Sequence, residues 1–335
     1  MTRTGCSLAE CSVGVTGACV LSHTPASSCP NFLIKNLVSD ETPSVARSEW
    51  KTRSLSAGNE LGVHQVDALM AQRYATLVGL LGEAGTGKTC LLSSLYLLAS
   101  CGELMPGLVF GGSATLLGFE QRLRNFRAWN EQGLPEQIVD HTSLSDPRRP
   151  GFVHLAFRET KTARTHDMVL SDLPGEWTTG LMKRASTAAR FAFLQRADAL
   201  VIAITAPSLL DPSRRHAQLQ NARILLQRLR ETVGVDLSVP LIFGLTRCDV
   251  SGIKLPPAAY DLAATAAQFG FLNTSTIPLA AFSDNDEVPS GLGLGELLDA
   301  VLSPTSSDSR TAIVTGIESP PSPAARMFER YTGGR

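Results

Sequence analysis

The sequence predicts an α/β fold, in which a mostly parallel sheet is flanked by helices and follows a small cysteine-rich module. Short apolar runs alternate with longer helical stretches, and a glycine-rich loop joins one run to a leucine-rich helix. Buried parallel strands connected by helices produce this alternation. A concentration of cysteine near the N-terminus sets the module apart. The apolar runs are Ala75–Leu81, Phe152–Phe157, Met168–Ser171, Ala199–Thr205, Pro240–Leu245 and Ile277–Ala281.

The composition excludes several classes of protein. The 335 residues are 43% hydrophobic and 18% charged, with a formal net charge of −1, so disorder throughout is not expected. Such a balance gives no signal for a polybasic surface that binds nucleic acid or anionic lipid. The longest apolar runs, such as Ala199–Ala206, are shorter than the ~20 residues that a membrane span requires. The start of the chain is polar and does not resemble a signal peptide, so we expect a cytoplasmic protein.

Four of the seven cysteines lie within the first 29 residues. In a reducing compartment such a cluster indicates a metal site more readily than disulfides. Four thiolates can close a tetrahedral zinc site and stabilise a module too small for its own core. The spacing differs from the common C-x-x-C pairs, so unpaired thiols in a flexible arm and an iron–sulfur site stay open as alternatives. The predicted structural Zn²⁺ ligands are Cys6, Cys11, Cys19 and Cys29.

Composition shifts divide the chain into four parts. Residues 1–45 form the predicted zinc-binding module, and 46–72 a polar linker with a short lead-in helix. Residues 73–303 form the main α/β domain, with a long insert at 102–151 that breaks the alternation of strands and helices. The remainder, 304–335, is rich in Ser, Pro and Gly and is predicted to be a flexible tail.

Residues Gly82–Thr89 match the phosphate-binding pattern G-x-x-x-x-G-K-[ST] between an apolar strand and a helix. Glycines let successive backbone N–H groups point inward, and the helix N-terminus adds partial positive charge. Lys88 is expected to reach the β- and γ-phosphates, and the Thr89 hydroxyl to bind Mg²⁺. Cys90 is interpreted as a packed helix residue near the phosphates. The predicted phosphate-binding residues are Gly82, Gly85, Thr86, Gly87, Lys88, Thr89 and Cys90.

Two further motifs follow the loop, each at the end of a predicted strand. Asp172-Leu-Pro-Gly175 reads as D-x-x-G, and Thr246-Arg247-Cys-Asp249 resembles the guanine-recognition motif [NT]-K-x-D of GTPases. In that motif the aspartate accepts hydrogen bonds that guanine can donate and adenine cannot. Arg247 replaces the usual lysine, and its guanidinium can still stack on the base. Motifs in this order at one sheet edge are what a nucleotide site requires.

The chain therefore resembles the P-loop GTPases of the translation-factor and Ras-like branch. Within that branch it is similar to the bacterial double-GTPase type 2 family of GTPase-associated systems. That narrower resemblance depends on Cys29–Phe32, Gly82–Thr89, Phe110–Leu116 and Asp172–Glu176. It implies a G-domain-like fold, a GTP and Mg²⁺ site, GTP hydrolysis to GDP and phosphate, and a nucleotide-dependent switch that contacts other proteins of a multi-protein bacterial system.

The resemblance also assigns roles in hydrolysis. Asp172 would hold Mg²⁺ through water, and the Gly175 N–H would sense the γ-phosphate. Glu176 stands where Ras-like enzymes carry the residue that orients the attacking water, although a solvated loop acid is an equal interpretation. Thr115 is favoured over Ser113 and Thr142 as the switch threonine that completes the Mg²⁺ shell.

Two alternatives stay open at this point. The chain could be an interaction module that binds GTP without turnover, or an ATP-binding P-loop protein whose T-R-C-D stretch is accidental. The insert could supply an arginine finger, but a solvated helix face is the favoured explanation of its basic residues. Those residues are Arg122, Arg124, Arg127, Arg148 and Arg149.

Overall fold

The computed structural model describes residues 3–8, 11–35, 58–124, 149–252 and 254–302. The chain divides into two compact units, Met1–Leu55 and Ser56–Arg335. The division falls within the stretch 46–72 that was predicted as linker and lead-in helix. The predicted tail 304–335 and most of the second half of the insert lie outside the described residues.

The first unit is built on a two-stranded antiparallel ribbon. Its strands are β1, Arg3–Cys6, and β2, Phe32–Lys35, with Cys6 opposite Phe32. A single helical turn, α1 (Val13–Thr16), and a 3₁₀ turn lie between the strands. Val13 and Cys29 are the buried apolar residues that the structure describes in this unit. So small a core is consistent with a unit that needs a further stabilising element.

The second unit contains a seven-stranded sheet in the order β4-β5-β6-β3-β7-β8-β9. Its strands are β3 (Ala75–Leu81), β4 (Leu108–Gly112), β5 (Gly151–Glu159), β6 (Thr165–Asp172), β7 (Ala199–Thr205), β8 (Leu241–Thr246) and β9 (Thr274–Pro278). Its helices are α2 (Val63–Met70), α3 (Lys88–Cys101), α4 (Leu116–Arg122), α5 (Gly175–Lys183), α6 (Ala206–Leu210), α7 (Pro212–Arg228), α8 (Cys248–Ser251), α9 (Pro257–Gln268) and α10 (Leu294–Leu302).

The predicted mostly parallel α/β sheet is confirmed. Strands β6, β3, β7, β8 and β9 are parallel to one another, whereas β5 is antiparallel to both of its neighbours, β6 and β4. The insert 102–151 is more regular than predicted, because β4 and α4 both lie within it. The six apolar runs of the sequence correspond to β3, β5, β6, β7, β8 and β9, with ends that shift by a few residues.

Helices cover both faces of the sheet, and β3 shows how its residues divide between them. Leu77 and Leu81 point into the core beneath α2, α5, α7 and α9. Val78 and Leu80 point into the core beneath α3, α4 and α10. A strand buried on both faces reads as a continuous apolar run, as β3 does. Among the described residues no helix is both long and apolar enough to cross a membrane.

The carboxyl ends of the parallel strands all lie along the same end of the sheet. Leu81, Asp172, Thr205 and Thr246 end β3, β6, β7 and β8 respectively. Ligands of open α/β sheets bind outside the carboxyl ends of the strands. The candidate site is therefore built from the loops that leave these four residues.

Candidate functional site

The loop between β3 and α3 adopts a conformation that its glycines make possible. Gly82, Gly85 and Gly87 have φ angles of 152°, 74° and 82°, a region that favours glycine. A Cβ added at Gly82 would also lie 2.8 Å from the carbonyl oxygen of Ala203 and 2.7 Å from the Thr86 hydroxyl. Helix α3 begins at the residue after Gly87, so the loop leads directly into a helix N-terminus, a type of position that favours anions.

Lys88 lies folded back over this loop. Its Nζ donates to the carbonyl oxygens of Gly82, at 2.8 Å, and Glu83, at 3.0 Å. Burial lowers the pKa of Lys88 to about 8, although the negative charges of Asp172, Glu176 and Glu83 act in the opposite direction. The ammonium group is thus poorly solvated and is held by the carbonyl oxygens of the loop.

The adjoining part of the loop is tied to α7. Asn221 Nδ2 donates to Glu83 Oε1 at 3.0 Å. A cleft of about 530 Å³ lies beside this contact, and Arg214 and Arg247 contribute to its wall. The loop is therefore stabilised by a contact with α7 as well as by the hydrogen bonds of Lys88.

The end of β8 is tied directly to the phosphate-binding loop. The Thr246 hydroxyl donates to the Thr86 carbonyl oxygen at 2.8 Å. Arg247 has a φ of 61°, and its Nη2 donates to the Gly85 carbonyl oxygen at 3.3 Å. Asp249 follows in the first turn of α8 and is half-buried. The two predicted nucleotide-binding segments thus form one connected structure.

The segment Thr246–Asp249 is also contacted by residues that follow β9. The Asn285 side chain donates to the Asp249 carbonyl oxygen at 3.1 Å. Ser94 of α3 donates to the Ala281 carbonyl oxygen at 2.6 Å. The stretch after β9 is therefore held against both α8 and α3.

Cys90 is half-buried in the first turn of α3. Burial raises the pKa of its thiol, although the positive charge of Arg247 acts in the opposite direction. A thiol with a raised pKa is a weak nucleophile. This agrees with the interpretation of Cys90 as a packed residue beside the loop.

Asp172 ends β6 and is 1% exposed. Arg122, the last residue of α4, places its Nη2 2.5 Å from Asp172 Oδ2, and its side chain is 11% exposed. The preferred sequence interpretation of Arg122 as part of a solvated helix face was therefore wrong. Helix α4 packs into the domain and turns this side toward Asp172. Arg124 and Arg149 are exposed, and Arg127 and Arg148 lie outside the described residues.

Gly175 begins α5 and lies directly on the phosphate-binding loop. A Cβ added there would be 2.1 Å from the backbone nitrogen of Ala84, so only glycine fits. The backbone N–H of Gly82 donates to the Thr178 hydroxyl at 3.3 Å, a second contact between α5 and the loop. Glu176 is exposed in the first turn of α5, and its charge acts on Lys88.

The environment of Thr115 differs from the one expected for a Mg²⁺ ligand. It is fully buried, and its hydroxyl accepts from the backbone N–H of His154 at 3.0 Å. His154 lies three positions along β5 from Gly151, the residue opposite Asp172, which corresponds to about 10 Å along a strand. Mg²⁺ ligation by Thr115 stays a prediction and would require this hydroxyl to leave β5. Thr142 lies outside the described residues.

A buried polar cluster that sequence reasoning missed anchors the segment before α4. The backbone N–H of Ala114 donates to His154 Nδ1 at 2.9 Å, so His154 Nε2 carries the proton and donates to Asp167 Oδ1 at 2.8 Å. Arg73 pairs with the other carboxylate oxygen at 2.7 Å. The available signal was a histidine and an aspartate within otherwise apolar runs.

The four N-terminal cysteines are neighbours in the first unit. The Cys11 thiol is within hydrogen-bonding reach of Cys6 and of Cys19, and Cys29 acts electrostatically on Cys6. All four are free thiols. Within the described residues, however, no group of three or more His, Cys, Asp or Glu is arranged to hold a metal ion. Zinc binding therefore stays a prediction.

A comparison with known protein families identifies the family of this chain. The family model of double-GTPase 2 matches residues 76–302. The chain belongs to the double-GTPase 2 family. Membership of a GTPase family supports GTP binding by this chain. No curated protein matches the chain.

Several solved structures are similar to this chain at low sequence identity and low TM-score. Toc33 from Arabidopsis thaliana, a dimerization-deficient mutant, is 15% identical, with a TM-score of 0.38 over 71% of this chain and 88% of that one. The signal recognition particle receptor SRb-GTP/SRX complex from Chaetomium thermophilum is 15% identical, with a TM-score of 0.34 over 63% and 93%. A GTP-binding protein from Sulfolobus solfataricus in complex with GDP is 14% identical, with a TM-score of 0.32 over 62% and 47%. The chain thus spans about half the length of this archaeal protein.

Proposed function

We propose that this chain binds GTP together with Mg²⁺ and hydrolyses it to GDP and phosphate. The observation that carries the proposal is the connection between the phosphate-binding loop and the end of β8. Thr246 and Arg247 bond the carbonyl oxygens of Thr86 and Gly85, so the phosphate and base segments are positioned relative to each other before any ligand arrives. Preorganisation of this kind reduces the entropy cost of binding.

The residues present fit a Mg²⁺ ion. Asp172 offers a buried carboxylate at the end of β6, and Thr89 offers a half-buried hydroxyl in the first turn of α3. Hard cations prefer such oxygen ligands, and Mg²⁺ keeps several waters in addition. When bound, the ion neutralises charge on the phosphates. Lys88 adds a second positive charge at the loop.

In the proposed reaction, positioning and charge neutralisation lower the barrier to attack by water. Glu176, exposed at the start of α5, would orient the water. The Gly175 N–H would bind the γ-phosphate. Because Gly175 now lies against Ala84, entry of the γ-phosphate would separate α5 from the loop. This separation would make α5 the nucleotide-dependent switch.

Binding assays with GTP and ATP test the nucleotide assignment. Lys88→Ala should abolish binding of both nucleotides, because it removes the phosphate-binding cation. Asp249→Ala should weaken GTP binding by about 100-fold, the scale of a lost pair of hydrogen bonds to a charged group. The matched control is Asp261→Ala, an exposed aspartate on α9. If the wild-type protein binds ATP as tightly as GTP, the guanine assignment is wrong.

Steady-state phosphate release separates a GTPase from a binding module without turnover. We expect multiple turnovers per chain, and Glu176→Ala should lower kcat by about 100-fold while leaving the Kd for GTP unchanged. GTP binding with no phosphate release would identify an interaction module instead. Lys88→Ala provides the background rate.

Two finer assignments complete the proposal. We propose that Cys6, Cys11, Cys19 and Cys29 bind a structural zinc ion, supported by the contacts of the Cys11 thiol with Cys6 and Cys19 and by the electrostatic effect of Cys29 on Cys6. We also propose that the chain acts on other proteins of a multi-protein bacterial system, supported by its family membership. Proteins from a bacterial host that carries this chain should be retained in the presence of a non-hydrolysable GTP analogue and released with GDP.

A further inference from the structure

The ion pair between Arg122 and Asp172 occupies the position where the proposed site needs its metal. Arg122 Nη2 lies 2.5 Å from Asp172 Oδ2. The aspartate is 1% exposed, and the side chain of the arginine is 11% exposed. A guanidinium at this distance takes up a carboxylate lone pair that a Mg²⁺-bound water would otherwise use.

Helix α4 holds Arg122 in this position through buried contacts. The Phe119 ring is fully buried and stacks on Tyr96 of α3, with ring centroids 4.8 Å apart. The N–H of Gly118 donates to the Gly58 carbonyl oxygen at 2.9 Å. A Cβ added at Gly118 would lie 1.8 Å from the Asn59 carbonyl oxygen. The direction of Arg122 is therefore set by the packing of its helix, unlike that of an exposed arginine.

Within the part of the chain that the structure describes, the ion pair between Arg122 and Asp172 leaves one buried donor unsatisfied, so another cation can replace Arg122. Arg122 Nε is buried and has no hydrogen-bond partner among the described residues. A buried donor without a partner costs free energy, and a buried ion pair gains little over its desolvation cost. Asp172 is also close enough to Lys88 to act on its charge. A divalent cation can therefore compensate Asp172 at least as well as Arg122 does.

We propose that the Arg122 guanidinium substitutes for the metal on Asp172 in the nucleotide-free protein, and that Mg²⁺·GTP must displace it to bind. Displacement releases the end of α4 from β6. The pair thus couples the nucleotide state to the position of the C-terminal end of α4. This inference depends on the proposed Mg²⁺·GTP site.

The test compares Arg122→Ala with Arg124→Ala in the full chain, since Arg124 is exposed just beyond α4. For Arg122→Ala, the thermal stability should fall while the apparent affinity for Mg²⁺ rises. In EDTA without nucleotide, the melting temperature should fall, because the buried Asp172 loses its ion pair with Arg122. At a fixed GTP concentration, the Mg²⁺ concentration for half-maximal binding should fall by about tenfold, because no competitor has to leave. Arg124→Ala should change neither quantity.

Other outcomes overturn the inference. An unchanged or higher Mg²⁺ requirement in Arg122→Ala would show that Arg122 does not compete with the metal. An unchanged Mg²⁺ requirement with kcat reduced by about 1000-fold would identify an arginine finger instead. If Arg122→Ala does not fold, Arg122→Gln preserves most of the side-chain volume and is expected to give the same lower Mg²⁺ requirement.

If wild-type protein binds no GTP at any Mg²⁺ concentration, the proposed function fails. The melting temperature then tests the pair alone, with Mg²⁺ or EDTA added. A Mg²⁺-induced rise that is larger in Arg122→Gln than in wild type would support competition between Arg122 and the metal, and a rise that is no larger would contradict it.

Discussion

Lys88 keeps its positive charge where burial opposes it. Its pKa of about 8 results from desolvation, which the negative charges of Asp172, Glu176 and Glu83 only partly offset. In the unfolded chain the same group has its ordinary pKa of 10.5. Between these two values the unfolded state binds more protons, so the charged Lys88 destabilises the free protein most below pH about 8. A phosphate that pairs with the ammonium group removes this disadvantage.

The pKa of Lys88 predicts proton uptake when GTP binds. At about pH 8.5 most free protein has a neutral Lys88, and binding of an anion should raise the pKa of Lys88 and draw in roughly 0.7 proton. At about pH 7 Lys88 is already charged, and uptake at Lys88 should be about 0.1 proton or less. Calorimetric titration of GTP in buffers of different ionisation enthalpy measures this uptake, and the measurement at about pH 7 is the internal control. Equal heats in all buffers at the higher pH would contradict the prediction.

The residues of the site differ in how far the sequence revealed them. Gly82–Thr89 and Thr246–Asp249 are contiguous segments whose chemistry follows from short-range pattern. The environments of Thr115 and Arg122 depend instead on where α4 packs and on which strand it contacts. Nothing local to either residue specifies the register of β5 against β6, which places His154, the partner of Thr115, three positions from the residue opposite Asp172.

At the scale of elements, strongly apolar strands were predictable and the edge strand was not. Strand β7, Ala199–Thr205, is apolar almost throughout because helices cover both its faces. Strand β4, Leu108–Gly112, is short, ends in two glycines and has alternating exposure. It forms because β5 offers an unpaired edge, with Phe110 opposite Phe157. Because β4 pairs with β5, which lies at the other end of the insert, no periodic pattern in the sequence marks β4 as a strand.

Strands β3 and β7 are clamped together at the edge opposite the site. Asp198 Oδ2 accepts from Arg196 Nη1 at 2.6 Å and from the backbone N–H of Leu77 at 2.9 Å. The guanidinium also lies over the Tyr74 ring, 5.6 Å from its centroid. Because β3 leads into the phosphate-binding loop, this clamp contributes to the stability of the strand that carries the loop.

Removal of this clamp should destabilise the domain strongly. Arg196→Ala leaves a buried carboxylate with one partner fewer, and we expect a loss of about 3 kcal/mol in the free energy of unfolding. Urea denaturation of nucleotide-free protein measures it. The control is Arg214→Ala, which breaks an exposed pair with Asp211 at 3.5 Å and should cost less than about 1 kcal/mol. Similar losses in both variants would show that the buried pair has no special role.

At the scale of the whole molecule, every residue of the proposed GTP site belongs to the second compact unit, Ser56–Arg335. The match to the double-GTPase 2 family lies within the same unit, at 76–302. That unit has an apolar core on each face of its sheet. The four clustered thiols belong to the first unit. The cysteine surplus at one end of the sequence therefore corresponds to a physical division, and each unit can be tested for its own ligand.

Deletion of residues 1–55 should separate the two proposed ligands. Because the GTP site and its core lie in the second unit, the shortened chain should bind GTP with a Kd within about twofold of the full chain, a difference of less than 0.5 kcal/mol. Metal analysis should find about one zinc per full chain and none in the shortened one, as four thiolates close one tetrahedral site. Cys29→Ser in the full chain should lose the zinc, and Cys101→Ser, an exposed cysteine of the second unit, should retain it. A full chain without zinc would contradict the metal assignment alone, whereas a shortened chain that folds but binds GTP at least tenfold more weakly would place part of the nucleotide site in the first unit.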